Sequence, residues 1–304
     1  MDGLILVDKP RGATSHDIVA RVRRALGIQQ VGHFGTLDPL ATGLLLLAVG
    51  RAVKLFPFFS KYQKVYAGEI RLGVATDTYD AEGEPVGQEA SSLPDRPAVV
   101  AAVRHFVGDL LQTPPPYSAK KLSGRPLYKW ARKGQAPQVA ARPVRVDYFT
   151  VTDFRPPLVG FEVRCGSGTY VRSLAHELGA RLGCGAHLAG LRRLAVGGYL
   201  LAEAQPIDRA EDMIRAGKSE ELLRPLASLL SELPRLILTE ADARGLQKGR
   251  AVASGDLVGT GETSGAAGPA GVCRLFDTAG HFLALARPDP DGSRLVPFLV
   301  LHPR

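Results

Sequence analysis

Asparagine is absent from this chain of 304 residues, and cysteine, methionine and tryptophan are scarce, at three, two and one. Cys165, Cys184 and Cys273 are odd in number, widely spaced and form no CxxC pair. Neither a disulfide framework nor a structural zinc site is indicated, and a reducing cytoplasm is the expected compartment. No apolar run is longer than that of residues 44–49, which falls far short of the ~20 residues that a membrane-spanning helix needs. Met1-Asp2-Gly3 carries no basic n-region and no cleavage motif follows it, so a secretory signal is not expected. Several motifs are missing as well. His176-Glu177 lacks the second histidine of a zincin helix, and glycines 259, 261 and 265 miss the dinucleotide spacing by one residue. There is no GxxxxGK[ST] loop and no GxSxG elbow. With seven histidines scattered outside any ligand spacing, the expected chemistry uses neither a metal nor a nucleotide cofactor.

What is present describes a folded, basic protein. Apolar residues make up 45% and charged residues 22%, which excludes disorder along the whole length, and the length suits one or two domains. Lys and Arg number 38 against 30 Asp and Glu, a net charge of +8 that attracts polyanions. The excess is concentrated. Residues 117–145 contain Lys120, Lys121, Arg125, Lys129, Arg132, Lys133, Arg142 and Arg145 and no acid, with Tyr117, Tyr128 and Trp130 interleaved. Cations that neutralise phosphates, mixed with rings that stack on unpaired bases, suit a single-stranded or looped RNA. The plainer reading is a solvated basic face above core aromatics.

Alternating strand and helix signals run through the first ~230 residues, as in an α+β domain. Residues 4–7 read as a buried strand. Thr14 or Ser15 can cap a helix whose apolar positions are Ile18, Val22, Ala25 and Leu26 and whose stop is Gly27, with Arg21, Arg23 and Arg24 on the opposite face. A loop is expected over 29–42, an apolar segment over 43–49, and strands over 65–72 and 161–165. Val171, Leu174, Leu178 and Leu182 form a helical stripe ending at Gly183. Residues 207–230 read as one or two helices. From about Pro234 the texture changes to short apolar runs (235–239, 272–276, 282–285) between Gly-rich turns, the pattern of a small β module. Residues 259–271 read as a long loop.

Two short segments carry chemistry. In Gly32-His33-Phe34-Gly35-Thr36-Leu37-Asp38-Pro39-Leu40-Ala41-Thr42-Gly43, one carboxylate sits among glycines, threonines and a proline, the composition of a tightly shaped loop. Pro39 holds Asp38 in extended backbone and points to an exposed acid. Asp38 could equally cap the following segment or close an Asx-turn. In Gly166-Ser167-Gly168-Thr169-Tyr170-Val171-Arg172, a glycine turn opens into the 171–182 helix. An arginine there can grip a carboxylate, whereas a lone Tyr170 is most simply a half-buried core residue.

Taken in order, these residues resemble the TruB-type tRNA pseudouridine synthases. The resemblance rests on Asp8-Lys9-Pro10-Arg11-Gly12-Ala13-Thr14-Ser15-His16-Asp17, the Asp38 segment, Tyr66, Arg71-Leu72-Gly73 with Thr76-Asp77-Thr78, and Pro116-Tyr117-Ser118-Ala119. It continues through the Tyr170–Arg172 segment, Cys184-Gly185-Ala186-His187 and Leu191-Arg192-Arg193-Leu194, collinear over about residues 3–200. The resemblance implies a mixed, mainly antiparallel sheet flanked by helices in a catalytic domain over 1–230. It also implies a small PUA-like RNA-binding module over 234–304. The implied activity is conversion of the T-loop uridine at tRNA position 55 to pseudouridine in the cytoplasm, without metal or cofactor, by a monomer that grips the T arm. Asp38 would be the nucleophile, attacking either C1′ of the ribose or C6 of the base. Tyr66 would stack on the flipped uracil, Tyr170 and Leu191 would line the pocket, and Arg172 would hold Asp38 ionised. His33 would hold the extruded nucleotide or a neighbour, and Lys120, Lys121 and Lys129 would meet the RNA backbone. Lys9 and Pro10 would be structural or near the RNA. Phe34 departs from the small or hydroxylated residue expected beside His33. A non-catalytic RNA-binding protein on the same scaffold is the rival reading, and retention of Asp38 and Arg172 speaks against it. An Asp-nucleophile phosphatase or glycosidase would need a second acid near Asp38, and 36–40 contain none.

Overall fold

The computed structural model describes residues 1–118, 121–122, 124–127, 130, 135, 139–247, 250–253, 257–260 and 271–301. The main elements of the first part are β1 (Gly3–Lys9), α1 (Ser15–Leu26), β2 (Thr42–Val49), β3 (Lys64–Leu72), α2 (Arg96–Val103), β4 (Gly108–Gln112), β5 (Arg142–Arg155), β6 (Leu158–Cys165), α3 (Val171–Leu182), β7 (Ala186–Val196), β8 (Gln205–Pro206) and α4 (Ile207–Arg215). The strands join one sheet in the order β8-β1-β2-β7-β3-β6-β5-β4. Only β1–β8 and β2–β7 along this path are parallel; the rest are antiparallel. The mixed, mainly antiparallel α+β sheet expected from the sequence is the fold observed.

The central strands are apolar on both faces because both faces are covered. Ile5, Val7, Leu45, Leu47 and Val49 point toward Ile18, Val19 and Val22 of α1 and Ile207 and Ile214 of α4. Leu4, Leu6, Leu44, Leu46 and Ala48 point the other way. Helix α1 begins in a capping box: Thr14 Oγ1 accepts from the Asp17 amide at 3.1 Å and Asp17 accepts from the Thr14 amide at 2.8 Å. It ends at Gly27, whose φ of 68° is the left-handed conformation of a helix stop. Two of its three arginines are engaged within the protein. Arg21 bonds Asp208 and Glu211 at 2.6 and 2.8 Å, and Arg23 donates to the Val31 carbonyl.

The structure departs from the sequence reading in three places. Residues 29–42 are not loop throughout, because Val31–His33 pairs with β2. Residues 207–230 do hold two helices, α4 and the short Ser219–Leu222, but the helical part stops there and Leu223–Pro225 runs antiparallel to β1. Strand β5 carries no signal in the sequence reading, yet spans 14 residues. Two register shifts, at Val146/Tyr148 and Val151/Asp153, break the alternation that would have marked it.

A second sheet follows, made of β9 (Arg235–Leu238), β10 (Val252–Ala253), β11 (Leu257–Thr260), β12 (Cys273–Phe276), β13 (Phe282–Pro288) and β14 (Arg294–Val300). Their order is β10-β14-β13-β12-β9-β11, with helix α5 (Glu240–Gln247) packed on it. Of the loop expected at 259–271, the first two residues belong to β11 and 261–270 lie outside the described residues. The two sheets are not separate cores. Val272, Phe276, Phe282, Leu285 and Leu301 share one cluster with Leu4, Leu44, Leu46 and the connecting Leu226, Leu229, Leu230 and Leu233. The buried guanidinium of Arg274 donates to the carbonyls of Leu229 and Leu233 at 3.2 and 3.0 Å, tying the connection down. Phe276→Ala is therefore expected to cost about 3–5 kcal/mol and to shift urea unfolding of the large sheet as part of one cooperative transition. Two separated transitions would show that the sheets unfold independently.

Candidate active site

Residues 34–43 connect Val31–His33 to β2, and their shape is fixed from four sides. Phe34 donates its amide to the Leu46 carbonyl at 2.9 Å and stacks on Phe59 with ring centroids 4.4 Å apart. Its ring is thus in the core between the two sheets, and the large side chain at this position points away from the carboxylate. Ser15 Oγ donates to the Leu37 carbonyl at 3.0 Å and accepts from the Leu37 amide at 2.8 Å. The Gly12 amide bonds the Pro39 carbonyl at 2.8 Å. From beneath, the buried Arg193 of β7 donates to the carbonyls of Leu44, Gly35 and Thr36 at 2.6, 3.0 and 3.4 Å. At Gly43, φ is +99° and a Cβ would lie 2.4 Å from the Arg193 carbonyl, so only glycine lets β2 and β7 meet here.

Held in this way, Asp38 reaches outward with its carboxylate half-exposed. Oδ2 lies 2.9 Å from Nε of Arg172, the second residue of α3. The carboxylate is engaged by a cation from a distant element, which gives it a role other than capping its own loop. Arg172 is itself buried and both of its terminal nitrogens are engaged. Nη1 reaches the Thr78 carbonyl at 3.0 Å and Asp80 Oδ2 at 3.3 Å, and Nη2 reaches the Tyr117 carbonyl at 3.0 Å. Asp80 is buried as well, its Oδ1 accepting from Thr78 Oγ1 and the Glu82 amide at 2.6 and 3.1 Å.

Beside this pair is a cavity of about 190 Å³ lined by Asp38, Tyr66, Ser118, Tyr170, Arg172 and Leu191, among others. That is below the ~300–1,000 Å³ of pockets for drug-sized ligands and suits a single ring. Five residues singled out in the sequence therefore meet at one place. Tyr66 stands on β3 with its ring buried. Burial raises its phenol pKa against the opposing charge and hydrogen bond of Arg193, so the ring is neutral. Tyr170 precedes α3, and its amide and carbonyl are both bonded by the Gln112 side chain, at 2.7 and 3.1 Å.

His33 does not join this wall. It ends the strand Val31–His33 opposite Leu47. Burial, then the charges of Arg193 and His16, hold its pKa below the usual histidine value. Lys9 is fully buried and donates to the carbonyls of Pro10 and Ala13 at 2.9 and 2.6 Å, which makes it the brace of the first turn. Burial, opposed by the nearby Asp38 charge, brings its pKa down to about 8. Lys120 and Lys129 lie outside the described residues, and so does the side chain of Lys121, whose backbone pairs in the strand Lys121–Leu122. Within the basic stretch, Arg145 is paired with Asp109 and Asp147 at 3.1 and 3.2 Å. That part of the stretch is neutralised from neighbouring positions.

Three residues of this site are given no role by the sequence reading: Asp80, which lies outside its motifs, and Ser118 and Arg193, which lie within motifs that carry the resemblance. Replacing Arg193 by methionine would strand the loop carbonyls of Gly35 and Thr36 and that of Leu44, and free the Tyr66 phenol. Arg193→Met is expected to destabilise the protein by about 3–5 kcal/mol, the scale for removing one member of a buried charged network. Urea unfolding would measure it, and a loss under about 1 kcal/mol would show that the loop holds its shape without that brace.

Comparison with known proteins agrees with this geometry. A model of the TruB family pseudouridylate synthase N-terminal domain matches residues 23–171, and one of the tRNA pseudouridylate synthase B C-terminal domain matches residues 172–231. The chain is 42% identical over 294 residues to tRNA pseudouridine synthase B of Thermobifida fusca, covering 94% of each protein. It is 38% identical over 309 residues to the protein of the same name from an Arthrobacter species, covering 100% of this chain and 97% of that one. Against the Opitutus terrae protein it is 49% identical over 215 residues, 69% of this chain and 88% of that one. In fold it is similar to the protein in a solved structure of an H/ACA RNP bound to a substrate RNA containing 2'-deoxyuridine. There the TM-score is 0.74 at 21% identity, over 99% of this chain and 86% of that one. Matched along nearly its whole length in sequence, and in fold through both sheets, the chain belongs to the TruB family of pseudouridylate synthases.

Proposed function

We propose that this protein converts the uridine at position 55, in the T-loop of tRNA, to pseudouridine, with Asp38 as nucleophile. The observation that carries the reading is the Asp38 carboxylate, held 2.9 Å from a buried arginine at the side of a ring-sized cavity that Tyr66 helps to wall. The reaction breaks the N1–C1′ bond, turns the base and joins C5 to C1′; the C5 proton passes to solvent and N1 takes one up in return. No atom is added and no electron is transferred. Attack by Asp38 at C1′ or at C6 divides one hard exchange into two easier steps.

Each neighbour has a defined part. Arg172 keeps the carboxylate ionised and aimed, because an adjacent opposite charge favours the charged form. Tyr66 supplies a flat neutral face for the uracil, with Tyr170 and Leu191 closing the remaining sides. A base stacked in a T-loop must be extruded to reach the site, at a cost of a few kcal/mol. Contacts from Lys120, Lys121 and Lys129 to the T-arm backbone, with His33 on the extruded nucleotide or its neighbour, offset that cost. Residues 1–230 form the catalytic unit and 234–304 a PUA-like module that adds affinity, in a protein that works as a cytoplasmic monomer.

Asp38→Asn is expected to lower single-turnover conversion of an unmodified T-arm stem-loop by on the order of 10⁴-fold or more, the scale of losing a nucleophile. Tritium release from C5-labelled uridine would measure it, with binding of the stem-loop nearly unchanged; an appreciable residual rate would remove Asp38 from the nucleophile's role. Neutralising Lys120, Lys121 and Lys129 together should weaken binding and reduce the slope of log K against log salt by roughly 0.7–0.9 for each phosphate no longer neutralised. An unaltered slope would place the RNA path elsewhere.

A further inference from the structure

We propose that the hydroxyl of Ser118 bonds the polar edge of the uracil directly and keeps hold of the base while it turns; the proposal rests on the functional reading above. Ser118 is 4% exposed and lines the same cavity as Asp38, Tyr66 and Arg172. Its Oγ is enclosed and has no hydrogen-bond partner among the described residues. Buried hydroxyls are almost always paired, so one left open against a cavity is matched to something that enters it.

The surrounding bonds sharpen the point. The segment that carries Ser118 is fastened to the start of α3 at several places, and none uses the serine hydroxyl. Gln112 holds both the amide and the carbonyl of Tyr170. Ser173 Oγ donates to the Thr113 carbonyl at 3.1 Å, and Arg172 donates to the Tyr117 carbonyl at 3.0 Å. Ser118 is thus positioned by its neighbours, and its hydroxyl takes no part in its own placement. Around it, Tyr66 is committed to Arg193 and Arg172 to Asp38 and Asp80, and the Thr169 hydroxyl is the other buried hydroxyl on this wall without a hydrogen-bond partner among the described residues.

A hydroxyl suits this task because it can both donate and accept. Once N1–C1′ is broken, the base must present C5 where N1 was. A half-turn about the N3–C6 axis does this. It exchanges N1 with C5 and O2 with O4, and it returns N3–H to its own place. A group reading the O2–N3–O4 edge meets the same pattern before and after the turn. Ser118 can therefore keep one hydrogen bond to the base throughout, where an apolar wall would leave the detached ring free.

The test compares wild type, Ser118→Ala and Ser118→Thr as full chains on an unmodified T-arm stem-loop, with C5 tritium release under single turnover. Removing one hydrogen bond to the reacting base should slow Ser118→Ala by roughly 10- to 100-fold, while stem-loop affinity stays within about twofold. Ser118→Thr, which keeps the hydroxyl, should recover part of the rate. Thermal unfolding supplies a second readout. Deleting a hydroxyl that bonds nothing in the free protein should leave Tm unchanged or raise it. Wild-type turnover by Ser118→Ala, or a fall in Tm alongside the rate, overturns the proposal. A wild type that converts no uridine overturns the functional reading and this proposal with it.

Discussion

A guanidinium taken out of water must find an acceptor for each of its donors, or the cost of burying it goes unmet. Arg172 meets most of that demand with two carboxylates and two backbone carbonyls drawn from three other parts of the chain. Asp80 and the carbonyls of Thr78 and Tyr117 are all buried or fixed, so the cation cannot drift, and Asp38 is the one exposed partner in the set. The Asp38 carboxylate takes its position from a charge that is itself held in place. Arg193 repeats the device one strand away, using two carbonyls of the Asp38 loop, the Leu44 carbonyl of β2 and the Tyr66 phenol. Two buried arginines, one for the acid and one for its loop, set the geometry of the cavity.

The parts of this arrangement that can be read from sequence are those with local signatures. Helix α1 announces itself through Thr14, Asp17 and Gly27, which act within a few residues of one another. Helix α3 does so through its apolar stripe and Gly183. Asp38, Tyr66, Tyr170, Arg172 and Leu191 are reached through a family resemblance, and the structure gathers them around one cavity. Strand β5 is hidden because its bulges interrupt the alternation on which strand reading depends. Strand β7 has bulges too, at Leu188/Gly190 and Arg193/Ala195, and it carries two adjacent arginines, so its pattern suggests a surface.

Asp80 and Arg193 escape a sequence reading for a related reason. A charged residue is read as exposed unless its partner is visible, and the partners here are backbone carbonyls or residues some 90 to 160 positions away. Carbonyls exist at every position and leave no mark in a sequence. The basic stretch shows the opposite error. Its lack of acid between 117 and 145 suggests an uncompensated surface, yet Asp109 and Asp147, just outside those limits, pair with Arg145.

The shared cluster beneath the two sheets has a bearing on shape. Val272, Phe276, Phe282 and Leu301 pack with Leu4, Leu44 and Leu46, and Arg274 pins the connecting segment. Packed cores do not deform continuously, so the span from the cavity to the outer face of the small sheet is fixed as in a caliper. An RNA that touches both must bring its own two touching points to that separation.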